Sequence, residues 1–484
     1  MKPLTLIIRL FFLLTVCPVV GQTEAFLYEN NVEGLPQYIP SGTQLEDGSY
    51  LLVSRRYLGD SVQCGITRID QSGEILQQHV VSEKTRLLIN TVYDSPQGIL
   101  LIGTSSTDSS GFFTTILLNS DLTINDVNSV PMDYLEQSGA YILDQDSFLT
   151  VSITTTDGDI FGPLFSGHVA KVTYNGDIVD LKLNIVNDLI TNFLFDVESS
   201  QYWCMGFNRK FYVFDSEFNS IDTLITPFQL VQEGSLLQAT DSSFILVGKR
   251  HNNIFFPPYE ETDNIGVGLV SNSLEEISLL QVGMEGDTLD VPAFNVAAVH
   301  SSDGNIYIGG NSNSQQGYWL YGPEPSWFTL AKIDKETFEP LWVKYYGGDE
   351  IYNMFGLTPT SDGGVLMYGS KYYYDSSQEV HDIAIKVDKD GVTNTSEIPV
   401  SLLPVLLYPN PFTRHIQITA DWGLHNDLSI QFFDSQGLQV FSSNLNPSLK
   451  DQIVPMPNLP NGNYFFSIYS GENWISSGQL VRME

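Results

Sequence analysis

Positive charge is scarce in this chain, and the shortage excludes two classes of function. The 484 residues include 22 Lys and Arg against 57 Asp and Glu, a formal net charge of −35. Nucleic acids and anionic membrane surfaces both bind proteins through basic patches. Because the acidic residues are spread along the chain, they predict a soluble, self-repelling surface. We therefore expect neither a nucleic-acid partner nor docking on an anionic membrane.

Cysteine is equally rare, with only three residues in the chain. Cys64 and Cys204 fall in units of the chain that are predicted to lie far apart, so we expect two buried thiols and no bridge between them. There is no CxxC or HExxH spacing for zinc, and we expect no metal or cofactor. Long apolar runs are missing too. No segment after the N-terminal leader approaches the roughly 18 apolar residues of a membrane span.

Residues 1–21 are predicted to be a signal peptide. Lys2 and Arg9 supply its basic flank, Leu10–Val16 its apolar run, and Val19–Gly21 a cleavage site of the small-residue kind. The run is too short for a spanning helix. The chain is therefore expected to be secreted or displayed on the outer cell surface, by way of the periplasm.

What the sequence does contain is a unit that recurs seven times before residue 400. Each copy has a turn residue, here called the anchor, followed seven positions later by a small residue. The anchors are Asp47, Pro96, Gln145, Ser199, Asp241, Asp303 and Asp362. The small residues are Ser54, Gly103, Ser152, Gly206, Gly248, Gly310 and Gly369. Spacings of 42 to 62 residues lie in or just above the range typical of propellers and solenoids.

Each unit is predicted to form four short antiparallel strands. Apolar runs such as YLLV follow the anchor, a second run such as ITRID ends at a polar hairpin turn, and one further strand flanks the pair on each side. Helix signals are almost absent, so the fold class is all-β. Phe26–Asn30 resembles the outermost strand of a unit and is free to pair with the last unit, which would close a ring.

The repeats resemble the TSDGGYxxxGxT…KxDxxGxxxW type found in secreted bacterial β-propellers. Thr360–Gly364 is the copy closest to that pattern. The resemblance implies a seven-bladed β-propeller over residues 22–400. It specifies a fold and carries no activity with it.

Beyond residue 400 the pattern changes to YPNPF, then DxxG, then LPNGxY. This order resembles the type A C-terminal sorting domain of the type IX (Por) secretion system, a small Ig-like β-sandwich. The resemblance covers residues 405–484 and implies the secretion machinery as a partner. The motif residues are Tyr408, Pro409, Asn410, Pro411, Asp434, Gly437, Gly462 and Tyr464.

No catalytic residues stand out. Asp388–Gly391 (DKDG) resembles the opening of a calcium loop, but Val392 and Pro399 occupy later ligand positions, so a hairpin turn is the better interpretation. Two carboxylates for glycoside hydrolysis could come from many acidic residues, and nothing singles out a pair. A polysaccharide- or glycoprotein-cleaving enzyme with acidic residues in the propeller funnel remains the alternative to a binding protein. A purely structural surface protein is a third possibility.

Long aromatic loops are the best candidates for ligand contact. Those of units five, six and seven are predicted to open on one face, where exposed rings suit a glycan or a surface protein. The alternative is that the rings fold down onto the blades. The candidates are Phe255, Phe256, Tyr259, Tyr318, Trp319, Tyr321, Trp327, Tyr372, Tyr373 and Tyr374. An open, acidic funnel would favour the enzyme, and a plugged funnel would favour binding.

Overall fold

The computed structural model consists of β-strands joined by turns and loops, with no helix among the residues that it describes. It describes residues 25–483, leaving out 33–35, 59–60, 82–85, 108–109, 133–135, 145–147, 158–163, 189, 197–198, 207–209, 226–229, 241–242, 252–262, 285–288, 315–324, 375–378, 394–404, 421, 423–427, 434–437 and 472. Within these ranges no helix has the length and apolar character that crossing a membrane requires.

Seven antiparallel sheets follow one another between residues 26 and 387. The first sheet contains β2 (Gln37–Gln44), β3 (Tyr50–Leu58), β4 (Ser61–Ile69) and β5 (Ile75–Val80). The second contains β6 (Arg86–Ser95), β7 (Gly98–Thr107), β8 (Ser110–Leu118) and β9 (Ile124–Met132). The third contains β10 (Glu136–Asp144), β11 (Leu149–Asp157), β12 (Leu164–Val172) and β13 (Ile178–Val186). The fourth sheet contains β14 (Ile190–Asp196), β15 (Gln201–Gly206), β16 (Lys210–Phe214) and β17 (Ser220–Ile225). The fifth contains β18 (Leu230–Thr240), β19 (Ser243–His251), β20 (Asp263–Ser271) and β21 (Glu276–Val282).

The sixth sheet contains β22 (Val291–Pro292), β23 (Ala298–His300), β24 (Ile306–Ser312), β25 (Trp327–Ile333) and β26 (Pro340–Gly347). The seventh combines β27 (Ile351–Pro359), β28 (Val365–Tyr372) and β29 (Val380–Val387) with the N-terminal strand β1 (Phe26–Asn30). Phe26 lies opposite Lys386 and Asn30 opposite Asp382 in an antiparallel register. The predicted pairing of the N-terminal strand with the last unit is therefore confirmed.

The sheets pack in series, each against the next. Inner-strand contacts run from β2 to β6, β10, β14, β18, β23 and β27, and then return from β27 to β2. Apolar side chains fill the spaces between neighbouring sheets. The space between sheets seven and one, for example, holds Phe26, Ile39, Tyr50 and Leu366, all fully or almost fully buried. Burial of such large rings and aliphatic groups is the main stabilising term of each junction.

Three of the four aspartate anchors have the same structural role, and the fourth, Asp241, lies outside the described residues. Each pairs with a basic residue of the third strand in its own sheet: Asp47 with Arg68, Asp303 with Lys332, and Asp362 with Lys386. Lys386 is completely buried, and its Nζ donates to Asp362 Oδ2 at 2.8 Å and to the Val387 carbonyl at 2.7 Å. Because a buried ammonium needs such partners, the pair fixes the anchor turn against the sheet.

Asp388–Gly391 forms the hairpin turn that the sequence predicts. Asp388 Oδ1 accepts the backbone N–H groups of Asp390 at 2.9 Å and Val392 at 2.8 Å. Gly391 has φ +69°, in the left-handed region where glycine is favoured. The Asp388 carboxylate thus serves the turn itself, as is typical of Asp in hairpins.

The two thiols lie in different sheets, Cys64 within β4 and Cys204 within β15, and both are free and fully buried. Burial raises the pKa of Cys64 to about 12 and that of Cys204 well above its usual range. We expect neither thiol to react with an aromatic disulfide reagent at pH 8 while the protein is folded, because the thiolate is the reactive form. In denaturant without reductant, two thiols per mature chain should react with the reagent. A count of zero would contradict the placement of the two cysteines in separate sheets.

The C-terminal region contains two further sheets facing one core. One comprises β30 (Leu406–Tyr408), β31 (His415–Thr419) and β34 (Asp451–Pro455), and the other β32 (Leu428–Phe433), β33 (Gln439–Asn444), β35 (Gly462–Ser470) and β36 (Asn473–Arg482). Phe412, Ile416, Trp422, Ile430 and Phe466 are among the buried side chains between the sheets. This is a β-sandwich.

Candidate ligand-binding site

The structure describes four of the ten aromatic candidates. Trp327 is the first residue of β25, Tyr372 the last of β28, and Tyr373 and Tyr374 follow it. The other six lie outside the described residues: Phe255, Phe256, Tyr259, Tyr318, Trp319 and Tyr321.

The segment Gly347–Glu350, which joins sheets six and seven, contacts both Trp327 and Tyr374. Trp327 packs against Gly348, where any side chain would collide with the indole. The Glu350 carbonyl accepts the Ser326 N–H at 3.0 Å, and its carboxylate accepts the Tyr374 N–H at 3.1 Å. We call the surface formed by Trp327, Gly347–Glu350, Tyr372–Tyr374 and the polar groups around them the edge patch.

Lys371 contacts both the acidic and the aromatic residues of the edge patch. Its Nζ donates to Asp349 Oδ2 at 2.8 Å and lies 3.6 Å from Glu29 Oε2. It also lies over the rings of Tyr373, at 4.7 Å, and Tyr352, at 5.5 Å. Burial opposes the charge of Lys371, but hydrogen bonds to Asp349 and Tyr373 and the nearby carboxylates raise its pKa above the usual range.

Glu29 ties the N-terminal strand into the edge patch. Its Oε1 accepts the Tyr373 hydroxyl at 2.5 Å and lies 2.6 Å from His381 Nδ1. The other ring nitrogen of His381 lies 3.2 Å from Glu379 Oε2, which also accepts from the Asn31 amide at 2.9 Å. Burial raises the pKa of Tyr373 to about 12, so its hydroxyl stays protonated near neutral pH.

The edge patch divides the predicted rings into packed and exposed ones. Tyr373 has Lys371 over its ring and the His381 ring at 4.5 Å, and Trp327 lies against backbone. Tyr374 is 39% exposed and meets Tyr372 edge to face at 6.5 Å. Tyr374 is therefore the described ring most available to a ligand.

The exposed charge of the edge patch is mainly negative. Glu29 and Asp349 have side chains 26% exposed and Glu379 38% exposed, while Lys371 is only 6% exposed. Carboxylates accept hydrogen bonds from hydroxyl groups, and an exposed phenol ring can stack on an apolar ring face. The arrangement suits a neutral, hydroxyl-rich ligand better than an anion.

The sequence pattern did not predict a second group of aromatic residues. Phe294, Phe355, Tyr38 and Tyr57 form a continuous row across sheets six, seven and one, with successive ring centroids 5.2, 4.4 and 6.0 Å apart. Arg55 Nη1 donates to the Tyr38 hydroxyl at 2.8 Å. Phe355 lies at a β-bulge of β27, between Met354 and Gly356. The row depends on that bulge and on contacts between distant strands, neither of which a strand pattern reveals.

The C-terminal motifs come together in space although they are separated in sequence. Asn410 Oδ1 accepts the Val481 N–H at 2.8 Å, and the Phe412 N–H donates to the Val481 carbonyl at 2.8 Å. The Tyr464 hydroxyl donates to the Pro460 carbonyl at 2.7 Å, and the Tyr464 ring lies 6.3 Å from Phe412. Tyr408 is 38% exposed, Pro409 and Pro411 belong to the same exposed turn, and Gly462 opens β35. Asp434 and Gly437 lie outside the described residues.

These features define an all-β chain that ends in a β-sandwich carrying the sorting motifs. A family model described as a secretion system C-terminal sorting domain matches residues 406–481. The match indicates export by the type IX secretion system, contact with its machinery, and a secreted or cell-surface protein. No curated protein matches the chain.

Proposed function

We propose that residues 22–400 form a closed seven-bladed propeller that binds a neutral glycan through the edge patch. Residues 1–21 act as the signal peptide and residues 405–484 as the sorting domain. The propeller is supported by the seven consecutive antiparallel sheets, the pairing of β1 with β29, and the packing of the last sheet against the first. Glycan binding rests on one observation: the edge patch combines an exposed tyrosine, Tyr374, with partly exposed carboxylates.

The row of inner aromatic rings supports binding over cleavage. In a propeller the first strands of the blades line the central funnel. Phe294, Phe355 and Tyr38 occupy those strands or the segments beside them in three neighbouring sheets, and all are half-buried. Stacked rings there favour a plugged funnel in this sector, whereas glycoside cleavage needs a pair of accessible carboxyl groups.

A glycan array probed with the full mature chain, followed by calorimetry on the best sugar, tests the proposal. Tyr374→Ala is expected to weaken binding by about 1–2 kcal/mol, because it removes the exposed stacking ring. The melting temperature should hardly change, since a ring that is 39% exposed contributes little to the core.

Phe465→Ala is the matched control. Phe465 is 47% exposed on the sorting domain, so its removal changes surface hydrophobicity to a similar degree without touching the edge patch. It should leave the affinity unchanged. Equal affinities for wild type and Tyr374→Ala would remove the edge patch from the binding site. Capture of a peptide with no response to any glycan would replace the glycan with a protein ligand.

A further inference from the structure

Arg55, on β3, is a buried arginine that forms no ion pair with a carboxylate of the described residues. It is 7% exposed. Its Nη1 donates to the Tyr38 hydroxyl at 2.8 Å and its Nε to the Ile89 carbonyl at 3.4 Å. Nη2 is buried and has no hydrogen-bond partner in the described part of the chain. Because a buried guanidinium is costly unless its charge is paired, Arg55 favours an anion close by.

The hydroxyls of Tyr38 and Tyr57 extend the donor character of Arg55 toward the surface. The Tyr38 oxygen accepts from Arg55 and lies 3.1 Å from the Tyr57 oxygen. One of the two hydroxyl hydrogens is used between the tyrosines, and the other has no acceptor among the described residues. Burial and the neighbouring Tyr38 raise the pKa of Tyr57, although Arg55 lowers it, so this hydroxyl stays protonated at neutral pH. Arg55 polarises the pair, and the free O–H is therefore a strengthened donor.

Half-buried aromatic rings lie beside these hydroxyls. Tyr38 stacks on Phe355 with ring centroids 4.4 Å apart and an interplanar angle of 12°, and Phe355 lies 5.2 Å from Phe294. We call the surface formed by Arg55, Tyr38, Tyr57, Phe294 and Phe355 the Arg55 site. All of its rings are partly exposed. The Arg55 site thus combines a donor backed by positive charge with a surface on which an apolar ring face can stack.

Hydrogen bonds between distant sheets hold the aromatic wall of the Arg55 site in place. The Phe355 carbonyl accepts the Asn295 N–H at 2.7 Å, and the Asn295 amide donates to the Pro40 carbonyl at 2.9 Å. These contacts join the sixth, seventh and first sheets at one point. A surface that is rigid before binding loses less entropy when a ligand is bound.

We propose that the Arg55 site binds the carboxylate of an acidic sugar, such as a uronic acid unit. The carboxylate accepts the free tyrosine O–H, the guanidinium behind it supplies the opposite charge, and the sugar ring lies against Phe355. Charge-assisted hydrogen bonds of this kind are stronger than those to a neutral acceptor. The Arg55 site is separate from the edge patch, whose exposed charge is negative, and adds a second class of ligand to the proposed binding of a neutral glycan.

A pair of matched ligands tests the charge requirement. Calorimetry on the full mature chain compares tetragalacturonate with its methyl ester, which keeps the sugar rings and removes the charge. The measurement is made at about 0.15 M salt, which screens the general negative charge of the protein. The acid is expected to bind roughly tenfold more tightly than the ester, the difference between a charged and a neutral acceptor. Equal affinities would overturn the proposal.

Variants without the hydroxyls test the location. Tyr38→Phe combined with Tyr57→Phe keeps both rings and should weaken binding of the acid by roughly tenfold, with no change for the ester. Tyr93→Phe combined with Tyr174→Phe is the matched control, because these half-buried rings also stack, with centroids 6.3 Å apart. It should bind like wild type.

Tyr57→Phe alone leaves the Arg55–Tyr38 contact intact and serves if the double variant fails to fold. It should also weaken binding of the acid. Unchanged binding in a folded variant that lacks the Tyr57 hydroxyl would overturn the proposal.

Two further measurements separate this proposal from its alternatives. Tyr374→Ala should leave binding of tetragalacturonate unchanged, so the edge patch can fail as a neutral-glycan site without affecting the Arg55 site. Loss of tetragalacturonate binding in Tyr374→Ala would instead place the acidic sugar at the edge patch and overturn the proposal. A tetraglutamate peptide offers carboxylates without sugar rings. Tighter binding of that peptide than of tetragalacturonate would replace the acidic sugar with an acidic protein segment.

Discussion

Removing residues 405–484 is expected to abolish appearance of the protein at the cell surface and to leave it in the periplasm. The sorting domain is a sandwich with its own core, including Phe412, Ile416, Ile430 and Phe466. The sheets before residue 387 pack among themselves, with the last against the first. The truncated chain should therefore fold and pass the inner membrane, and lack only the signal for the final step. Cell fractionation and protease treatment of intact cells measure the outcome.

Two controls separate loss of the signal from loss of folding. The truncated protein should retain the thiol protection of Cys64 and Cys204, because both lie in sheets outside the sorting domain. Attaching residues 405–484 to an unrelated periplasmic protein should carry that protein to the surface. Surface display of the truncated chain at the wild-type level would show that the sorting assignment is wrong.

The repeat was predictable from sequence because each strand is short and each turn has its own chemistry. Asp388 caps its hairpin through local contacts, and Asp362 pairs with Lys386 inside one unit. Because these interactions join residues of the same unit, the residues that make them recur with the period of the repeat. The pairing of Phe26–Asn30 with the last unit was predictable for a different reason, because an isolated copy of an outer strand needs a partner edge.

The sequence did not predict which aromatic side chains of the candidate site are exposed or which residues surround them. Clusters of aromatic residues mark loops, but packing decides whether a ring is available. Tyr373 and Tyr374 are neighbours, yet Lys371 covers the first and the second is exposed. Glu29 reaches Lys371 and Tyr373 across more than 340 positions, so only the folded chain brings them together.

The stability of the protein is expected to fall as pH rises from about 4 to about 7, because of one buried carboxyl group. Asp382 lies on β29 opposite Asn30 and Ser370 and is completely buried. Its Oδ2 accepts the Ser54 hydroxyl at 2.5 Å, while Oδ1 has no hydrogen-bond partner among the described residues. Burial raises the pKa of Asp382 to about 7, although Ser54 and the nearby Arg56 lower it.

The direction of this change in stability follows from the number of protons that the folded and the unfolded chain bind. Between the ordinary carboxyl pKa of 3.8 and about 7, the folded chain keeps this proton and the unfolded chain loses it. Stability therefore decreases with pH through this window, and the full stabilisation is present only below the lower value. The total loss from Asp382 is at most about 4 kcal/mol, at 1.36 kcal/mol for each pKa unit. Denaturant unfolding of the mature chain at a series of pH values measures it.

Asp382→Asn isolates this contribution from the general self-repulsion of an acidic protein. The amide has nearly the same shape and can still accept the Ser54 hydroxyl, but it does not titrate. The variant should lose less stability than wild type between pH 5 and pH 8, and should be the more stable of the two at pH 8. Asp390→Asn, at an exposed turn position, removes one charge without burial and should follow the wild-type curve. Parallel curves for wild type and Asp382→Asn would mean that the carboxyl is ionised in the folded protein, with Arg56 as its counterion.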